Sequence, residues 1–138
     1  MDTNECYVYF ALDGEDFEPN DVTDYLNIEP TSVRRKGERL PGRIPRYSSW
    51  VLSTQKIINE IIDVDEMASE LIKILEPKTN QINEIAEKLN LATRLEVVLW
   101  ITTDDTQTTP MISFNVNSIN FLSNVNAYID IDIDIYRN

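Results

Sequence analysis

The chain has no histidine, and among its 138 residues there are only one cysteine and three glycines. The missing imidazole excludes the most. Without it there is no Ser-His-Asp or Cys-His catalysis, no histidine metal ligation and no side chain that titrates near neutrality unperturbed. The lone thiol, Cys6, can form no intramolecular disulfide and supplies neither a zinc site nor a redox pair, so it reads as a small core or strand-end residue. The glycine-rich phosphate-loop pattern is absent. Long apolar runs are missing too. Nothing approaches the roughly 20 residues that span a bilayer, and the run from Cys6 to Leu12 is too short, and too acidic in its approach, for a signal-peptide core. These absences predict a soluble cytoplasmic protein with no membrane association, no metal and no cofactor.

Positive charge is scarce: 12 Lys and Arg stand against 24 Asp and Glu, a formal net charge of −12. Such a chain repels nucleic acid and anionic head groups at long range, which leaves basic protein surfaces as natural partners. Half of the cations nevertheless fall between Arg34 and Arg46, opposed there only by Glu38. This stretch is the single place where composition points to a site. With 42% hydrophobic and 26% charged residues the balance is that of a globular protein, and the length suits one domain over residues 1–138.

The run Tyr7 to Leu12 is aromatic and β-branched and stops at Asp13-Gly14, which predicts a first, buried strand. Pro19 suits a first helical turn, and Val22, Tyr25 and Leu26 recur at helical spacing. Strands are expected at Ser32–Lys36 and Ser49–Thr54, joined by the basic segment. Asp63 and Glu66 form a capping box ahead of the stripe Val64, Met67, Ala68, Leu71, Ile72, Leu75, which Pro77 ends. A second stripe, Ile82, Ile85, Ala86, Leu89, follows. Leu95–Thr102 and Met111–Val116 read as strands, Ser118 as the N-cap of a short helix, and Tyr128–Tyr136 as a strand of near-perfect period two. The expected fold is α+β. It is a ferredoxin-like β-α-β-β-α-β unit extended by a further β-α-β, a mainly antiparallel sheet with helices packed on one face.

Arginines make bidentate, charge-assisted hydrogen bonds to phosphate or carboxylate, and Gly37 and Gly42 would let backbone approach a bound group. Arg34, Arg35, Lys36, Arg39, Arg43 and Arg46 are therefore candidate ligand- or partner-binding residues, with Trp50 as a stacking surface beside them. The competing expectation is that these cations pair with carboxylates of the same molecule and that Trp50 is core. If the segment has a function, it should depend on its second half, Arg39 to Arg46. Asp130, Asp132 and Asp134 share one face of the last strand about 7 Å apart, too spread along a line to converge on a cation. They are expected to face water while Ile129, Ile131, Ile133 and Ile135 enter the core. If this strand lay beside the basic segment, the aspartates could neutralise part of it. Carboxylate pairs for hydrolysis carry no signal in so acidic a chain.

Leu26-Asn27-Ile28-Glu29-Pro30-Thr31, Arg35-Lys36-Gly37-Glu38, Ser49-Trp50-Val51-Leu52-Ser53 and the closing Ile133-Asp134-Ile135-Tyr136 together resemble the bacterial family of unknown function numbered 4279, over nearly the whole chain. The resemblance implies a small cytoplasmic bacterial domain and brings no established activity, cofactor or catalytic residue. Some relatives resemble members of toxin-immunity neighbourhoods. With the small size, the acidity and the missing histidine, this predicts a non-catalytic binding protein of the immunity type that covers a basic protein partner. The alternative is a sensor that holds a small anionic ligand in the 34–46 loop.

Overall fold

In the computed structural model, which describes residues 3–59 and 61–136, the first apolar run forms the central strand β1 (Glu5–Gly14). Met1 and Asp2 of the acidic N-terminus lie outside the described residues. β1 pairs antiparallel on one side with β3 (Ser48–Ser53) and on the other with β5 (Ala92–Ile101). A short β2 (Ser32–Arg34) lies antiparallel outside β3, and β6 (Tyr128–Ile135) lies parallel outside β5. The two-residue β4 (Ile57–Ile58) meets Glu5 and Cys6, where β3 has already left the sheet. The main order is β2-β3-β1-β5-β6. This is an α+β protein with a mainly antiparallel sheet.

Local chemistry starts and stops the helices. α1 (Pro19–Leu26) begins with proline at N1 and with the Glu18 carboxylate accepting the Asn20 N–H at 3.2 Å. α2 (Val64–Leu75) is capped by Asp63, whose Oδ1 accepts the Glu66 N–H at 3.1 Å. Pro77 falls in a 3-10 turn (Glu76–Lys78) that hands over to α3 (Thr79–Leu89). Asn27 and Asn90 take the left-handed conformation after α1 and α3, at φ 55° and 56°. Asparagine thus fills the position that glycine usually takes at a helix end. α4 (Val116–Asn124) is the crossover between the parallel strands β5 and β6.

Helices α1 to α4 turn their apolar stripes onto one sheet face. Cys6, Val8, Phe10 and Leu12 of β1, Trp50 and Leu52 of β3, and Leu95, Val97 and Leu99 of β5 form a single cluster there with Val22, Leu26, Leu71, Ile72, Leu75, Ile82, Phe121 and Leu122. Each large side chain buried in this way contributes roughly 1.5–3 kcal/mol. An exposed ion pair is worth about 0–1. The one core, and not the abundant charge, therefore holds the fold. Burial pushes the Cys6 thiol up to about 11, which makes it an inert core residue.

Four expectations differ from the structure. Met111–Val116 is not a strand: Met111 makes only an isolated bridge to Asp63 and is 71% exposed, and α4 has begun by Val116. The N-cap of α4 is Asn115 and not Ser118, because the Asn115 Oδ1 accepts the Ser118 N–H at 2.8 Å while Asp65 and Ser69 hold the asparagine amide. β2 ends at Arg34, where the chain leaves for the basic hairpin. The isoleucines of β6 do lie on the helix-facing side, in register with Leu95, Val97 and Leu99, yet they stay 39–51% exposed because β6 is an edge that the helices cover incompletely.

Candidate functional site

Strand alternation leaves a second sheet face, against which no helix packs among the described residues. β1 sends Tyr7, Tyr9 and Asp13 there, β3 sends Ser49 and Val51, and β5 sends Arg94, Glu96, Val98 and Trp100. Ser32 and Arg34 of β2 extend this face at one edge, and Asp130, Asp132 and Asp134 of β6 extend it at the other. Tyr9, Tyr7 and Trp100 form a continuous aromatic row, with ring centroids 6.1 and 6.0 Å apart. The Lys56 ammonium lies 4.6 Å above the Trp100 ring, held also by Glu5 at 3.1 Å.

At the centre of this face sits Arg94. Its guanidinium reaches Asp13 at 3.0 Å and Glu96 at 2.7 Å, donates to the Tyr9 hydroxyl at 3.0 Å, and lies 5.2 Å from the Tyr9 ring centroid. The Ser49 hydroxyl donates to Asp13 at 2.6 Å. Burial alone would push the Arg94 guanidinium down, but its bond to Asp13 and then Glu96 raises it above its ordinary value. The Glu96 carboxyl is raised, first by burial and then by a hydrogen bond with Asp130, against the lowering by Arg94. Burial likewise raises the Tyr9 hydroxyl, which keeps it a neutral hydrogen-bonding group. Every charged group in the cluster is committed to another, which is the arrangement of a structural network.

The six cations of the basic segment do not converge. Arg34 lies on the open face, beside a shallow cleft of about 250 Å³ lined by Tyr7, Tyr9, Ser32, Val51 and Arg94. Arg35, the next residue along, points to the other side and forms a two-pronged pair with Glu18 at 2.7 to 3.2 Å. Lys36 approaches Glu15 at 3.9 Å. Arg39, Arg43 and Arg46 are exposed, and no ion pair reaches them among the described residues. They ride on a small hairpin closed by reciprocal Leu40–Arg43 backbone bonds of 3.1 Å, with Pro41 and Gly42 at its tip. Gly37 and Gly42 are there for their φ of 78° and 80°, and a Cβ at either would meet open space. Turn geometry, not approach to a ligand, accounts for both. Trp50 is fully buried on the helix side, its Nε1–H donating to Thr23 Oγ1 at 3.0 Å, so it cannot stack on a molecule held by the loop.

The aspartates of β6 and the basic hairpin sit at opposite edges of the sheet, so the one does not neutralise the other. Among the described residues no group of three or more acidic or cysteine side chains is placed to hold a metal ion. Among the described residues no helix is long and apolar enough to cross a membrane. The sequence signals the Arg94 network only through Arg94 and Glu96, two residues apart in an apolar strand and so on one strand face. Their partner Asp13 is 81 residues from Arg94, and one sequence does not give that register.

Fold and open face together define the class: a small α+β protein whose sheet is covered by helices on one side and, among the described residues, carries no helix on the other. Residues 4–136 match the family described as a domain of unknown function (DUF4279), and the chain belongs to that family. No curated protein and no solved structure matches it.

Proposed function

We propose that this protein is a non-catalytic binding module of the immunity type, acting in the cytoplasm, which covers a basic surface of a protein partner. The observation that carries the reading is the open sheet face, where the row Tyr9–Tyr7–Trp100 runs beside the exposed carboxylates of β6. Aromatic anchors within a charged rim are what protein interfaces favour. A net charge of −12 would steer a basic partner onto them. The strand order β2-β3-β1-β5 supports a ferredoxin-like unit as the scaffold, with β6 as its extension. Affinity capture from the native host at low salt tests this. Wild type should retain a basic protein that is lost both at high salt and by the pair Tyr7→Ala, Trp100→Ala, with folding of the variant verified by circular dichroism. Equal retention by the folded variant, or no specific partner at low salt, overturns the reading.

A second reading, an anionic-ligand sensor, is favoured by one feature: Arg34 borders the cleft with no ion pair among the described residues. It no longer involves Trp50 or a convergence of the loop arginines. A ligand at 100 times its dissociation constant would add about 2.7 kcal/mol of stability. Thermal melts with inorganic phosphate and with succinate should then show a shift that Arg34→Ala removes. A flat response to both rejects this reading.

A further inference from the structure

The two edges of the sheet are built differently. β2 is three residues long and gives way at once to the basic hairpin, so it offers a neighbouring chain almost nothing to pair with. β6 is eight residues long, contains no proline, glycine or lysine, and keeps unbroken register with β5 from Tyr128 to Ile135. None of the usual devices of short length, proline, lysine or a bulge blunts this edge. The Tyr136 N–H donates to Ile101 O at 2.9 Å, which turns the backbone groups of the even-numbered positions toward β5. Those of Ile129, Ile131, Ile133 and Ile135 therefore face outward, where no further strand pairs with them among the described residues.

Side chains narrow what could pair there. On the helix-facing side the four isoleucines remain 39–51% exposed, an apolar row that an added strand would cover. On the open side Asp130, Asp132 and Asp134 are exposed, and no cation pairs with them among the described residues. Residues directly opposite across a strand pair lie about 4.5–5.5 Å apart, where like charges repel. A second copy pairing β6 with β6 in antiparallel fashion would set aspartates against aspartates, and a slip of one residue would set its isoleucines on the aspartate side. The acidic row thus discourages self-association and selects a complementary strand.

We propose that β6 is a strand-accepting edge for an extended segment of a protein partner in which aliphatic residues alternate with Lys or Arg. Its aliphatic side chains cover the isoleucine row, its cations meet the three aspartates, and its backbone takes the outward N–H and C=O groups. This deepens the binding reading above by naming an edge and a partner chemistry, and it does not require the Tyr7–Trp100 surface.

The test uses a synthetic peptide of alternating lysine and valine, as long as β6, and a peptide of the same composition with its lysines and valines in separate blocks. At low salt the alternating peptide should bind and slow hydrogen exchange at the amides of Ile129, Ile131, Ile133 and Ile135. The block peptide, and a version N-methylated along its pairing edge, should bind at least about tenfold more weakly. Charge reversal by Asp130→Lys, Asp132→Lys and Asp134→Lys together should lose a similar factor. Ile133→Pro should also block binding, since the N–H it removes faces outward and is not used by β5. Tyr7→Ala with Trp100→Ala should leave peptide binding intact, so that failure of the edge and failure of the open-face reading are told apart. Equal binding of alternating and block peptides, or unprotected isoleucine amides at saturation, overturns the proposal.

Discussion

Replacing Arg94 by methionine should lower the stability of the fold by about 3 kcal/mol at neutral pH, the low end of what removing one member of a buried charge pair costs. Methionine keeps most of the stem and deletes the guanidinium. The change leaves Asp13 and Glu96, with side chains only 15% and 5% exposed, without their cation and with Asp130 close to Glu96. The pH dependence carries a sign. Glu96 has a folded value raised above 4.5, so its contribution to stability is complete below its unfolded value and is lost as pH rises through the folded one. Arg94 is what limits that rise, so removing it should raise Glu96 further. The deficit of Arg94→Met should therefore be largest near neutrality and shrink as the pH falls. Glu5 acts in the opposite sense: the Tyr136 hydroxyl, and behind it Lys56, holds its carboxyl down, so its contribution is lost as pH falls. Glu5 is common to both proteins and drops out of the difference between them. Urea titrations of both across this range measure it directly. A deficit under about 1 kcal/mol, or one that does not change with pH, would mean that the network is solvated and contributes little. Adding Glu96→Gln to Arg94→Met should recover part of the loss, because it removes one of the stranded charges.

How legible these features were in the sequence depends on the kind of information each needs. Pro19, Asp63 and Pro77 act on their own neighbours, and the helix limits they predict are close to those observed. Strand faces are harder. In β1 the outward Tyr7 and Tyr9 are as apolar in appearance as the inward Val8 and Phe10, so the run reads as buried on both sides and the open face is hidden. In β6 alternation is nearly perfect, and it correctly groups the isoleucines on one side. It says which residues share a face and nothing about what lies over that face. The basic segment shows a further limit. Composition gathers Arg34 and Arg35 into one cluster, whereas Arg34, the last residue of β2, borders the cleft and Arg35, just past the strand end, turns to Glu18. Charge density along a sequence is not convergence in space. The family, in contrast, was readable from short local motifs, and its match covers residues 4–136.

Trp50→Ala should cost about 3–5 kcal/mol, the usual range for emptying a large aromatic site in a packed core. Whole domains are stable by only about 5–15 kcal/mol, so partial unfolding at physiological temperature is the expected phenotype. Three features place Trp50 at the high end. Its side chain is fully buried, it lies between Leu12 and Val33 in the sheet, and its indole N–H to Thr23 ties β3 to α1. Trp50→Phe should cost less, because the ring volume is largely kept and half-buried Thr23 can turn to water. The consequence reaches the basic hairpin. α1 is preceded by Glu18, which caps it and grips Arg35 at the foot of that hairpin, so loosening α1 should free the foot as well. Limited trypsin digestion reads this out, since Arg39, Arg43 and Arg46 are exposed and none is followed by proline. Cleavage at these sites should accelerate in Trp50→Ala well below its melting temperature. If Trp50 were instead a ligand-stacking residue, the alanine variant would keep wild-type stability and wild-type cleavage and lose only a ligand-induced shift. A stability change below about 1 kcal/mol, far under the value for a core tryptophan, would therefore return Trp50 to the surface and the ligand-binding loop to consideration.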